Sequence, residues 1–437
     1  MPFVTQPIQP ALRRELGLVD ATLVGVGAIL GAGLFVVTGQ AAQIAGPSLL
    51  LGLMIAGVAA GCNALSSAEL AAAYPKAGGA YEYGYEKLHP LAGFAAGWLF
   101  CVSKLAAGGV VALTFAMYLP EVVGSFGGVP ASFVAAFLAV CLTVANLFGI
   151  RKAGRLNAVI VAVTVGAILY FVAGTLPRLQ TNAFVPFAPG GLPGVLQSAA
   201  LLFFAFTGYA RIATLGEEVR DPQKTIPRAI ILALSIASFL YLLACVSMVG
   251  VMGKELLPAT GPRKYGGTAI FVAAHYSGLA GAVQILSLGA VTATAGVLLS
   301  QLLGVSRVLL AMGRRGDMPP VFAYISNASG VPFVGVLFCG AVVVSLALLG
   351  TLKVITASAT FAILLYYAVA NLAALRLTGE QKRFPRVVAY VGLGACILLA
   401  ASLPLPVIAS GCLLLAVGFA FRFAMRRVFP ANGTISA

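Results

Sequence analysis

The sequence predicts an all-α polytopic membrane protein built from two five-helix halves of opposite orientation. Three observations predict it. Of 437 residues, 60% are hydrophobic and 9% charged, against roughly 25% charged in a soluble domain, and mean hydropathy is +1.02. Apolar runs of about 20 residues recur along the chain, each long enough to cross a bilayer's hydrocarbon core. Two of those runs, five spans apart, carry glycine at their centre, where a helix is weakened by it.

Taken in order, the first apolar run begins only after Asp20 and continues as a full span, so "MPFVTQPIQPALRRELGLVD" does not read as a cleavable leader. Charged or Pro/Gly-rich punctuation then divides the chain into about twelve spans. They are expected near 18–44, 48–73, 91–119, 130–149, 157–176, 195–216, 228–252, 279–312, 332–350, 354–376, 387–402 and 405–422. The segment "TAIFVAAHYSGLAG" is too short and polar to cross and reads as an interfacial or re-entrant helix.

The first span carries "GAILGAGLF" and the sixth "FFAFTGYARIATLGEE". Because an odd number of spans separates their positions in the two halves, the halves run in opposite directions. Interrupted segments at corresponding places of two inverted halves point to a transporter's binding site. Irregular backbone is tolerated at membrane depth only where it is buried in protein or lines a cavity. Gly31, Ala32 and Gly33 let the chain unwind without side-chain clash. The freed amide N–H groups stand at the positive end of the following half-helix and suit a carboxylate. Carbonyls left near Ala28 and Ile29 suit an ammonium group. The competing reading is a small-residue packing face, which the matching break at Gly208, flanked by Thr207 and Tyr209, argues against.

The organisation expected is therefore 1–17 as an N-terminal cytoplasmic segment, 18–176 and 195–376 as the two repeats, 387–422 as two further spans, and 423–437 as a cytoplasmic tail. A formal charge of +15 raises nucleic-acid binding. Twenty of the 27 basic residues instead fall at one side of the membrane, in loops or at span ends, five at the other, and two, Lys104 and Arg211, deeper within spans. That asymmetry is the positive-inside pattern and places both termini in the cytoplasm, without a nucleic-acid partner. The seven cysteines all lie in apolar runs with no C-x-x-C spacing, so they read as buried small hydrophobes. No metal-ligand spacing, cofactor motif or catalytic constellation is present in the sequence, which excludes an enzyme as the first reading.

These residues resemble the amino acid–polyamine–organocation superfamily of permeases, above all its bacterial members and the cationic amino acid transporter branch. "GAGLF" at 31–35 is similar to the superfamily's first-helix signature. "SSAELAAAYPKAGGAYEYGYEKLHPLAGFAAGW" at 66–98, "FFAFTGYARIATLGEEVRDPQKTIPRAI" at 203–230 and "SRVLLAMGRRGDMPP" at 306–320 resemble its second-to-third, sixth and eighth helices. The resemblance implies the LeuT-like five-plus-five inverted-repeat fold, alternating access, and an integral protein of the bacterial inner membrane. It implies that a substrate carboxylate meets the backbone of Gly31, Ala32 and Gly33, and that the α-ammonium meets carbonyls at Ile29 and Thr207. It further implies that Phe204 covers the substrate and Phe206 forms another pocket wall.

Two departures stand out. Lys104 lies mid-way along the third span, where relatives often carry a glutamate–aromatic pair. A centred ammonium costs at least roughly 2.5–3.5 kcal/mol on insertion scales, so such groups are functional candidates. It can bind a substrate carboxylate, switch protonation to drive transport, or serve as a fixed cation that holds the bundle together. The fifth-helix position that carries a lysine in some proton-coupled relatives corresponds to Thr164, and the eighth-helix sodium-ligand positions fall near Ala295 and Gly296, close to Thr292 and Thr294. Neither coupling scheme is intact. None of the twelve acidic residues falls at mid-membrane, and a cationic substrate needs a desolvated counter-charge. Glu69, Glu217, Glu218 and Arg211 are gate candidates, with Arg220, Arg228 and Lys76 as possible ion-pair partners for the glutamates. The expected function is a secondary transporter, symporter or antiporter, for small neutral amino acids. It works by proton coupling or exchange, in a lipid bilayer and with no cofactor or metal. Acidic or cationic amino acids are the alternative substrates, and an ion channel is the rival class. The sequence leaves the oligomeric state open.

Overall fold

The computed structural model describes residues 16–74, 78–124, 127–148, 153–213, 219–252, 269–326 and 330–428. Helix α1 (Leu18–Ile29) ends in the middle of the first predicted span. A wide π-helical turn, Gly33–Val37, then leads into α2 (Thr38–Ala45), and α3 (Leu49–Ala73) returns. Next come a short α4 (Ala80–Lys87), the long α5 (Pro90–Tyr118), its extension α6 (Pro120–Val123), α7 (Ala131–Leu147) and α8 (Ala153–Thr175). The second half repeats the theme. Helix α9 (Gly191–Phe206) passes through a 3₁₀ turn, Thr207–Tyr209, into α10 (Ala210–Ala213). It continues with α11 (Pro222–Met252), α12 (Ala269–Tyr276), α13 (Ala282–Arg314), α14 (Phe333–Leu349), α15 (Leu352–Leu375), α16 (Arg386–Ala401) and α17 (Leu405–Val428). Strand-like pairing among the described residues is limited to an isolated bridge between Leu16 and Val219.

Helices stand at every stretch the hydropathy pattern marks. By length and composition eight stretches suffice to cross a membrane, the first, Leu18–Ala73, holding two of the expected spans. The apolar helices α7, α14 and α16 are shorter. The clearest boundary difference is α11, which begins at Pro222 rather than near 228. Proline at a first helical position is pre-set for the helix and gives up an N–H that would be unpaired anyway, so the polar turn before 228 is helical too. Segment 269–276 is a short helix, and Ile270, Phe271, Val272, Ala273 and Ala274 on it are buried in the protein.

The core sits where α1, α5, α9, α11 and α13 converge: α5 packs on α13 and α15, α1 on α11 and α8, and α3 on α9. Large apolar side chains such as Phe133, Phe137, Leu349 and Phe423 face outward from α7, α14 and α17. An apolar exterior of this extent is the surface a bilayer covers.

Contacts define one polar end of the bundle. Arg220 N–H donates to the Leu16 carbonyl at 2.9 Å. The Arg383 guanidinium donates to the Gln223 carbonyl at 2.6 Å. Asp317, fully buried after α13, accepts from Arg422 Nε at 2.8 Å, from Tyr81 Oη at 3.1 Å and from Tyr85 Oη. Arg315 pairs with Glu82 at 2.5 Å. This basic end ties α4, α13 and α17 together.

Candidate substrate site at two interrupted helices

The interruption of the first helix is a loss of hydrogen bonds at three residues. Leu30 N–H closes the last α-type bond, to Val26 at 2.8 Å, and Leu30 itself is extended, with φ −74° and ψ 90°. The N–H groups of Gly31 and Ala32 find no acceptor among the described residues. The ladder resumes when the Gly31 carbonyl accepts from Leu34 at 3.1 Å and Phe35 at 3.3 Å. A buried backbone donor without a partner is rare and costly, so these two groups need an explanation. The sixth predicted span is altered more mildly: Thr207–Tyr209 tightens to a 3₁₀ turn rather than unwinding.

The two places touch. A Cβ on Gly208 would fall on the Ala28 peptide group, so only glycine allows that approach. A Cβ on Gly33 would stand 2.6 Å from Ala205 Cα. Gly33 is thus needed for helix contact, whereas a Cβ on Gly31 would point at Val297, 3.0 Å from its Cγ2.

Between them lies a cavity of about 350 Å³, to which Ile29, Gly31, Ala32, Gly33, Phe204, Thr207, Gly208 and Lys104 all contribute. A second cavity of about 410 Å³ shares Ala28, Lys104, Gly208, Val297 and Gln301 with it and continues past Phe100, Arg211, Ser300 and Gly304. Since Ser300, Gly304 and Val305 follow Val297 along α13 toward Arg314, this second cavity runs toward the basic end. On the other side Phe35, Tyr118 and Phe271 pack edge to face, with centroids 5.7 and 5.9 Å apart, and Tyr118 Oη donates to the Phe35 carbonyl at 2.8 Å.

Lys104 reaches from α5 into the space shared by both cavities. Its Nζ lies 3.2 Å from the Thr207 carbonyl and 3.4 Å from Thr207 Oγ1. The Lys104 carbonyl in turn accepts from the Gln301 side-chain amide. On the facing side Tyr241 Oη contacts the Ile29 carbonyl at 2.6 Å and the Ala205 carbonyl at 3.1 Å. The two carbonyls that the resemblance reserves for a substrate ammonium, Ile29 and Thr207, therefore already have donors from the protein.

The remaining sequence candidates divide. Phe206 lines neither cavity. It is fully buried and packs on the Tyr241 ring at 5.3 Å, because residues two apart on a helix do not share a face with one another; it is core, not pocket wall. Thr164 is buried between α8 and α13, its hydroxyl 2.9 Å from the Ile160 carbonyl and 3.3 Å from that of Gly289. It too lines neither cavity. Glu69 does not pair with Arg220 or Arg228. It takes Lys382 Nζ at 2.6 Å and the N–H groups of Arg383 and Phe384 at 3.1 and 3.2 Å, so it anchors the α15–α16 connection. A carboxylate that collects two backbone donors and an ammonium is fully used. Arg211 lies along α13, 3.2 Å from where Gly304 would carry a Cβ. Glu217, Glu218 and Lys76 fall outside the described residues.

Sequence reasoning missed Tyr241 and Gln301. A lone amide inside "LLSQLLG" was a visible signal for Gln301. Nothing distinguishes Tyr241 from the other 13 tyrosines.

Residues 20–426, nearly the whole chain, match the amino acid permease family. The chain belongs to that family. An uncharacterized transporter of Mycobacterium tuberculosis is 41% identical over 433 residues, covering 98% of this chain and 94% of the relative. The methylthioribose transporter of Bacillus subtilis is 30% identical over 90% of this chain and 89% of its own. The branched-chain amino acid permease BcaP of the same organism is 29% identical over 86% and 84%. This permease is thus an amino acid transporter of the membrane, and its family and relatives are transporters rather than enzymes.

Proposed function

We propose that this permease moves small neutral amino acids across a bacterial plasma membrane by alternating access, with the basic end in the cytoplasm. The observation that carries the reading is the pair of unpartnered N–H groups at Gly31 and Ala32, opening on a cavity that both interrupted helices share. Such donors at the start of a half-helix favour a carboxylate. No aspartate or glutamate is among the described residues lining either cavity, which disfavours lysine, arginine or a polyamine. The branched-chain amino acid permease among the relatives supports a neutral substrate.

In this reading residues 18–176 and 195–376 are the inverted repeats. The interrupted helices rock against the rest, and Phe204 covers the substrate. Transport is proton-coupled or an exchange, with Lys104 the ionisable group placed to respond. Lys104 also favours acidic amino acids as a second substrate class, since its ammonium has no carboxylate partner among the described residues.

Uptake of a panel of radiolabelled amino acids into proteoliposomes, at two pH values and with or without sodium, tests the proposal. Saturable uptake with counterflow of neutral amino acids is expected. Non-saturating current, or selective uptake of cationic amino acids, would overturn it. In the Lys104→Ala variant acceleration by a pH gradient is expected to vanish while exchange persists; unchanged pH dependence removes Lys104 from coupling.

A further inference from the structure

Hydrogen-bonding groups around the cavity are unevenly divided. On the donor side stand the unpartnered N–H groups of Gly31 and Ala32, the Lys104 ammonium and, farther toward the basic end, the Arg211 guanidinium. On the acceptor side three carbonyls at the breaks, those of Ile29, Ala205 and Thr207, face protein donors. The Ile29 and Ala205 carbonyls face Tyr241 Oη, and the Thr207 carbonyl and hydroxyl face Lys104 Nζ. No carboxylate among the described lining residues balances the lysine. A carboxylate entering here meets the unpartnered N–H groups of Gly31 and Ala32. An ammonium directed at the Thr207 carbonyl meets a cation already seated there, and like charges at contact disfavour each other.

We infer that Lys104 determines specificity by holding the position an α-ammonium would take. Substrates whose group beside the carboxylate is uncharged, 2-hydroxy and 2-oxo acids, bind at least as well as the matching amino acids. Amino acids bind only by displacing Lys104 from Thr207. The flexible four-carbon stem of lysine permits that displacement and lets the freed ammonium meet the carboxylate. This inference rests on the substrate site proposed above and refines what it accepts.

The test uses the purified full chain. Alanine is compared with lactate and pyruvate, and leucine with its 2-hydroxy and 2-oxo analogues. The readouts are ligand-induced thermal shift and competition for saturable uptake. In the wild type each deaminated analogue is expected to compete as well as its amino acid or better. In Lys104→Met and Lys104→Gln the Thr207 carbonyl is released, and preference should swing toward the amino acid by roughly tenfold, as expected for one charge–charge contact removed. A wild type that rejects the deaminated analogues by about tenfold or more, with both variants unchanged, overturns the inference while leaving the amino acid site intact. Failure of every compound to bind overturns the proposed site and this inference with it. The wild-type comparison decides the first half even if neither variant folds.

Discussion

Phe204 and Phe206 are two residues apart on α9 yet serve different ends. Phe204, 7% exposed, lines the cavity, and Phe206, 0% exposed, packs on Tyr241. Truncating Phe206 to alanine leaves a core void and is expected to cost about 3–5 kcal/mol of stability, visible as a lowered unfolding midpoint in detergent. Phe204→Ala is expected to weaken substrate affinity with a smaller loss of stability. If the two variants show the same pattern, the division fails. Gly208→Ala is a sharper case, because the added methyl meets the backbone of Ala28 and not a flexible side chain. Overpacking of this kind costs typically about 1–3 kcal/mol, and uptake should be lost because the two breaks are forced apart. Residues of this sort were legible in the sequence, since glycine at mid-span has few structural explanations. The occupancy of the Ile29 and Thr207 carbonyls was not, because it depends on side chains from α5 and α11 that meet the breaks only in the folded bundle.

At the level of elements, little of the apolar window of α17 is covered by protein, and its basic end adds charged contacts to the packing on Trp98 and Phe361. Arg422 lies with its side chain 4% exposed against a wholly buried Asp317, and its guanidinium also sits over the Phe94 ring at 5.1 Å. Asp317→Asn strands that charge, and removing one partner of a buried pair typically costs about 3–5 kcal/mol. The expected result is loss of thermal stability with loosening of α17, measured by limited proteolysis within residues 402–428. Tyr85, in the same cluster, provides a pH signature. Burial first, and then the hydrogen bond and charge of Asp317, push its phenol from 10.0 up to about 12. The folded protein therefore keeps a proton that the unfolded chain releases near pH 10. This contribution is complete below pH 10 and is lost as pH rises through 12. Wild-type unfolding midpoints should fall more steeply across that window than those of Tyr85→Phe. The helices themselves were readable from apolar runs and punctuation. Asp317, Glu69 and their partners were not, because residues paired across 105 and 313 positions of chain leave no local pattern.

For the whole molecule, the two ends of the bundle are unequal. Toward the basic end the shared cavity continues past Phe100, Ser300 and Gly304. Toward the other end the edge-to-face cluster of Phe35, Tyr118 and Phe271 and the bond from Tyr118 Oη to the Phe35 carbonyl lie beyond the break. A carrier that alternates must be able to exchange these roles, and a ligand can only shift the balance by binding the two states differently. On the alternating-access reading proposed above, a cavity that continues past Gly304 and aromatic rings packed on its other side fit the state that faces the cytoplasm. A cysteine at Ser300, in a background with the exposed Cys141 and Cys412 replaced by alanine, should react with a membrane-impermeant thiol reagent supplied from the cytoplasmic face. It should be protected from reagent on the outer face. Tyr118→Ala removes both the ring and the hydroxyl from the cluster, so labelling of the same cysteine from outside should rise and that from the cytoplasm should fall. Equal labelling from both faces in the parent would mean a continuous pore and a channel. Labelling unaffected by Tyr118→Ala would mean that the aromatic cluster is packing alone and that the seal lies elsewhere.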